Sequence, residues 1–223
     1  MSCNGGIEMK TEVINESMKT RRINRAVAIS ADLFLKRGID NVKMTDIADV
    51  SGVGVATLYR YFGTKTGITI AAMTHLWNEL NNMFSGIFES EVFRKQTGLK
   101  QLTDLMRMYI VLYEAHKDFM KLLGEFDLIM LRDNVPKDEL VDYERSIINF
   151  YEVYESACKV GIADGTIRDD IDLKLVYLTY GHSMMELGKK LIRGEILPSD
   201  NFSEGSSELS MLIEMAASYI RKK

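Results

Sequence analysis

The stretch Met44–Lys65, MTDIADVSGVGVATLYRYFGTK, restricts what this chain can fold into more than any other. Its apolar spacing predicts a short helix ending near Ser51, a tight turn, and a second short helix over Val55–Phe62. Gly52 suits the turn because it takes a positive φ without a Cβ penalty. Ala48 is small where a second helix must cross closely. Ile47, Val53 and Leu58 have the spacing to meet in one apolar knot. A purely structural second helix would bury more than Leu58 and Phe62. This one carries Val55, Ala56, Thr57, Tyr59, Arg60 and Tyr61, groups that can touch bases or phosphates. Two helices joined by a short Gly-containing turn make either an ordinary helical hairpin or a helix-turn-helix whose second helix enters the major groove of DNA, and the makeup of this second helix favours the latter.

The distribution of charge agrees. The whole chain of 223 residues carries a net charge of −4, which argues against a generally basic nucleic-acid binder. Over Ser17–Thr66, however, nine basic residues (Lys19, Arg21, Arg22, Arg25, Lys36, Arg37, Lys43, Arg60, Lys65) face four acidic ones (Asp32, Asp40, Asp46, Asp49). A basic N-terminal module on an acidic body fits a protein that touches DNA at one end only.

Around this stretch the pattern is helical throughout, with no strand signal and no internal repeat. Residues 1–18 are polar and aperiodic and read as a disordered tail that includes Cys3. The first helix is expected from about Thr20 to Arg37, ended by Gly38. Thr64 is a good N-cap for a long helix over Lys65–Phe88. Further helices are expected over about Leu99–His116, Lys117–Arg132, Pro136–Val160, Leu173–Arg193 and Gly205–Arg221. The run Gly161–Ile167 reads as a turn. The expected fold is all-α, with an N-terminal helix-turn-helix domain over residues 19–71 and a C-terminal helical domain over residues 72–223, to which the resemblance given next assigns ligand sensing and dimerisation. No apolar run approaches a membrane span, and the first residues lack a secretory apolar region, so a cytoplasmic protein with no membrane partner is expected.

The run Arg22–Ala71 resembles the DNA-binding domain of the TetR family of bacterial transcriptional regulators. The matching motifs are Ala31-Asp32-Leu33-Phe34 closed by Gly38, Asp46-Ile47-Ala48, Ser51-Gly52-Val53, and Thr57-Leu58-Tyr59-x-Tyr61-Phe62-x-Thr64-Lys65. The likeness is close over about fifty residues and continues beyond them only as helical pattern and length. Three positions depart from the family pattern. Lys43 stands where Thr or Ser is usual, Gly54 where Ser is usual, and Thr66 where Glu is usual. The resemblance implies a homodimeric, ligand-responsive regulator acting on a double-stranded operator, most often as a repressor. It places DNA contacts at Lys43, Thr45, Gly54, Val55, Ala56, Thr57, Tyr59, Arg60, Tyr61 and Lys65. Tyr59, Tyr61 and Lys65 would mainly meet phosphates, and Val55, Ala56, Thr57 and Arg60 base edges.

The resemblance also implies a small-molecule pocket in the C-terminal domain. Methionines repack easily and tyrosines place a hydroxyl in an apolar wall. The expected lining is drawn from Met106, Tyr109, Tyr113, Phe126, Tyr151, Tyr154 and His182, and the expected effector is mostly apolar. The apolar stripes of the last two helices (Leu173, Val176, Tyr177, Tyr180, Met184, Leu187, Leu191; Leu209, Leu212, Ile213, Ala216, Ile220) are expected to pair across a two-fold axis. His75, His116 and His182 are scattered, with no metal-ligand spacing. No phosphate loop or nucleophile motif is present. Neither a metal, a cofactor nor an enzymatic activity is therefore expected. The alternative reading is a helical ligand-binding or scaffold protein that does not regulate transcription. Weak, salt-insensitive DNA binding would single it out.

Overall fold

The computed structural model describes residues 5–148, 150–195 and 197–223. Among them run eleven α-helices: α1 (Gly5–Arg37), α2 (Met44–Ser51), α3 (Val55–Phe62), α4 (Lys65–Phe88), α5 (Glu91–Arg94), α6 (Gly98–Ala115), α7 (Lys117–Arg132), α8 (Val141–Ile148), α9 (Phe150–Ala163), α10 (Leu173–Arg193) and α11 (Gly205–Ile220). No strand occurs among the described residues, and the one isolated bridge pairs Ile167 with Arg221. No helix among them is long and apolar enough to cross a membrane.

The chain packs as two units. One is Met1–Leu76 together with Glu125–Tyr143, and the other is Trp77–Gly124 together with Glu144–Lys223. The division falls a few residues beyond the expected one at residue 72, and it returns a later segment to the N-terminal unit. α4 and α7 each begin in one unit and end in the other. α1 begins at Gly5, well ahead of Thr20. The part of the expected tail that is described is thus helical; residues 1–4, with Cys3, lie outside the described residues.

In the first unit, α1 contributes Ala26, Ala31 and Phe34 to the core, and Ile39 and Val42 follow from the connection to α2. Ser30 is buried among them because its hydroxyl donates to the Ala26 carbonyl one turn back, at 2.7 Å. α2 adds Met44, Ile47 and Ala48, and α3 adds Leu58. Ile47, Val53 and Leu58 are all buried, as the spacing requires.

In the second unit α6 packs against α9, α10 and α11. Its apolar face, Leu102, Leu105, Met106 and Leu112, is buried against theirs. The Gly161–Ile167 turn does more than connect. The Asp164 carboxylate accepts from the Gly98 N–H at 2.8 Å, and the Thr166 hydroxyl accepts from Leu99 N–H at 3.2 Å, so the turn caps α6. The Thr166 hydroxyl, the Gly98 N–H and the Thr166 N–H all donate to the Asp164 carboxyl and hold it below its usual range. Arg168 N–H and the Thr166 carbonyl bond to the end of α11, at Ile220 and Lys222. The helix expected over Pro136–Val160 is a 3-10 turn at Lys137–Leu140 followed by α8 and α9. Asn149, between those two helices, lies outside the described residues.

Candidate nucleic-acid interface and effector cavity

The geometry of the helix-turn-helix follows from its caps. The Asp46 carboxylate accepts from Lys43 N–H at 2.9 Å. This is half of a capping box; the ammonium of Lys43 has no lone pair with which to complete it. Gly52 ends α2 at φ 70° and donates to the Ala48 carbonyl at 2.9 Å. The Ser51 hydroxyl accepts from Val53 N–H at 3.2 Å and fixes the turn. Gly54 opens α3 with no side-chain cap. Thr64 caps α4 as expected, accepting from Gly67 N–H at 3.0 Å.

With Leu58 facing inward, α3 turns its other side out. Ala56, Tyr59, Arg60 and Tyr61 are exposed, and Val55 and Thr57 half-buried. Lys43, Thr45 and Gly54 are exposed at the starts of α2 and α3. All ten residues assigned to DNA contact therefore lie on α3 or on the segments next to it, with none in the core. Lys65 is the most enclosed of the basic ones. Its Nζ donates to the Asp40 carbonyl at 3.4 Å, and burial lowers its pKa, partly offset by the Asp40 and Asp46 carboxylates. Two features were missed in the sequence. Lys19 and Arg60 each place their cation 5.5 Å from the Tyr61 ring centroid. The Arg22 guanidinium donates to the Gly52 carbonyl at 3.3 Å, tying α1 to the turn.

The end of α7 holds the same unit from another side. The Glu125 carboxylate accepts from Ile39 N–H at 2.9 Å, just past the end of α1. Arg132 lies 3.5 Å from Asp40, and Asp133 accepts from the Thr66 hydroxyl at 2.9 Å. Hydrogen bonds from Arg132 and Thr66 hold the Asp133 carboxyl below its usual range. Thr66, a departure from the family pattern, thus serves an anchoring contact.

The second unit contains a narrow cavity of about 50 Å³. Trp77, Leu105, Met108, Tyr109, Tyr154, Tyr177 and Met185 are among its walls. Burial raises the pKa of Tyr109 and Tyr154 well above the ordinary tyrosine value, so both hydroxyls stay neutral. Trp77 meets Phe119 edge-on at 5.0 Å, and Tyr154 meets Tyr177 at 5.1 Å. Of the seven residues expected to line a pocket, Tyr109 and Tyr154 do so. Met106 is fully buried, and its carbonyl accepts from the Tyr180 hydroxyl at 3.0 Å. Tyr113 packs against Gly205, and Tyr151 lies against Tyr177. Two placements need correction. Phe126 belongs to the first unit, where it packs on Tyr143 at 4.6 Å, because it follows the point where α7 passes from one unit to the other. His182 is exposed, because α10 turns its Tyr180–Met184 side inward. Among the described residues no group of His, Cys, Asp and Glu could hold a metal ion. Cys158 is a free, buried thiol whose pKa burial pushes up.

Residues 26–72 match the family model of the bacterial regulatory proteins, tetR family. The chain carries a TetR-family DNA-binding domain. The TetR family is one of transcriptional regulators rather than enzymes. Over 167 residues the chain is 23% identical to the HTH-type transcriptional repressor KstR2 of Mycolicibacterium smegmatis, spanning 72% of this chain and 75% of that one. It is 27% identical to the KstR2 repressor of Rhodococcus jostii over the same shares. The fold extends beyond the TetR-family domain. FadR of Bacillus subtilis, solved with stearoyl-CoA, superposes with a TM-score of 0.63 at 16% identity, covering 89% of this chain and 99% of that one. A regulator from Saccharomonospora viridis, solved with choline, superposes with a TM-score of 0.65 at 17% identity, covering 92% and 100%.

Proposed function

We propose that the protein is a homodimeric repressor that binds a double-stranded DNA operator through α3 and is released by a small, mostly apolar molecule taken up in its second unit. The observation that carries the DNA half is α3 itself, an eight-residue helix that buries only Leu58. The rest of its surface is left for a partner, inside a module of net positive charge. Tyr59, Tyr61 and Lys65 meet phosphates; Val55, Ala56, Thr57 and Arg60 read base edges. The KstR2 relatives, named as repressors, favour repression over activation.

The effector half rests on the Trp77–Tyr154 cavity. At about 50 Å³ it is far below the roughly 300 Å³ of a small-molecule pocket. The effector must therefore bind a minor conformation in which the cavity is open. Met108 and Met185 in its wall can repack to allow this. Such a ligand shifts the population of dimer geometries only by its differential affinity for them. α4, continuous from Lys65 to Phe88, is the element through which the shift reaches α3.

Dimerisation is through α10 and α11, on a face that takes in Val176, Leu212 and Ala216 of the expected stripes. Tyr180, Met184, Leu191, Leu209, Ile213 and Ile220 are buried within one copy. Leu175, Leu178, Met211, Met215 and Tyr219 stay exposed instead. A groove of about 340 Å³ between the two helices lies among them. Contiguous exposed apolar side chains of this kind mark an association surface.

The test is selection of binding sites from random duplex DNA, followed by fluorescence-anisotropy titrations across salt concentrations. A specific site with steep salt dependence is expected. Lys65→Ala should weaken binding to all sequences and reduce the salt slope by roughly one unit. Failure to select any site, with weak and salt-insensitive binding, would make the protein a helical ligand-binding or scaffold protein instead.

A further inference from the structure

The second unit holds a larger opening that neither the DNA surface nor the dimer face uses. It is a groove of about 660 Å³ between α4, α5, α6 and α9. Its walls mix hydrogen-bonding side chains (Asn81, Asn82, Ser85, Gln101, Ser156) with the rings of Phe88 and Phe93. Arg94 is offset by Glu89 and Glu152, so the groove has no excess of positive charge. Asn81 donates to the Ser146 carbonyl, while its own Oδ1 is buried and has no hydrogen-bond partner. A buried acceptor left in that state is unfavourable, and a ligand hydroxyl or N–H would satisfy it once the groove floor opened far enough to expose it.

The groove and the cavity share α4, α6 and α9. On α4, Asn81 lines the groove and Trp77, one turn earlier, lines the cavity. On α6, Gln101 lines the groove and Leu105, one turn later, lines the cavity. On α9, Val153 lines the groove and Tyr154 the cavity. On α4 and α6 a polar wall thus gives way to an aromatic or apolar one within a turn.

Building on the effector reading above, we propose that this groove is the entrance and head-group site for the effector. The effector is an amphiphile, with an uncharged, hydroxyl- or amide-rich head held by Asn81, Gln101 and the groove serines. Its apolar tail passes Asn81 into the Trp77–Tyr154 cavity as that cavity opens. A wholly apolar molecule would leave the groove's polar groups without partners, and an anionic head would meet Glu89 and Glu152.

The chain has one tryptophan, Trp77, so its emission reports the cavity directly. The intact protein is titrated with a medium-chain monoacylglycerol brominated on the tail, with an alkyl bromide of equal length as the headless control. The monoacylglycerol should quench Trp77 at a concentration about tenfold lower than the control, the loss expected when hydrogen bonds worth roughly 1.4 kcal/mol are absent. Ser156→Phe, at an exposed position on the groove wall, should raise the concentration needed about tenfold with the melting temperature unchanged. Equal quenching by the headless control, no quenching by the monoacylglycerol, or indifference to Ser156→Phe overturns the proposal. DNA affinity is read in parallel. Head-dependent quenching without DNA release upholds the site and sinks the effector reading. DNA release by the headless control alone does the reverse.

Discussion

Gly38 shows how one residue can carry two requirements. It ends α1 at φ 78°, a left-handed conformation that costs an L-residue roughly 1–2 kcal/mol. It also faces the Glu125 carboxylate so closely that a Cβ would lie 2.9 Å from its oxygen. Gly38→Ala should therefore destabilise the protein by more than the strain alone, about 2 kcal/mol. It should also displace Glu125 from Ile39 N–H. Gly38→Ala in a Glu125→Ala background isolates the strain, and urea melts of the four proteins give the coupling. Additive losses would show that the carboxylate does not press on this position. The first requirement could be read from the sequence, since a glycine after a helical stripe is a helix stop. The second could not, because Glu125 lies 86 residues away from Ile39 and nothing local marks it.

At the scale of helices, what could be read was what is local. α3, α4 and α10 begin and end where periodicity and capping residues place them: Thr64 before α4, Asp172 before α10, glycines after α3 and α10. α5, at four residues, is too short to show a period. Side-chain direction was also legible where one face is plainly apolar, as in α3. It is not legible on α10, apolar on more than one side, where the pattern does not tell that His182 is exposed and that Tyr177 lines the cavity. The tyrosines of α6, α9 and α10 carry a pH prediction. Burial raises the folded-state pKa of Tyr109, Tyr154, Tyr177 and Tyr180 above the ordinary 10.0. The stability they contribute is fully present below pH 10 and is lost as pH rises through the folded values. The melting temperature should fall steeply between about pH 10 and 11. Tyr154→Phe, which removes the hydroxyl while keeping the ring, should flatten that fall. An identical alkaline slope in Tyr154→Phe would remove this residue as a cause.

For the whole molecule, the proposed assembly rests on the exposed face of α10 and α11. Met215 is 60% exposed and Leu175 61% exposed in a single copy, a poor state for side chains of that size unless a second copy covers them. Light scattering at micromolar concentration should give a dimer. Met215→Glu should give a monomer of unchanged helicity, because the position adds nothing to the core of one copy. A monomeric parent protein would rule out this interface.

The first unit is not one stretch of chain. It takes in Glu125–Tyr143 as well as Met1–Leu76, and from that later segment come Glu125, Arg132 and Asp133. This bears on how such regulators can be recombined. A chimera joined at residue 76, as a linear reading of the gene would suggest, carries the DNA-reading helices into a foreign body without the carboxylates and guanidinium that hold their frame. A graft that moves residues 125–143 along with the N-terminal part keeps those partners together.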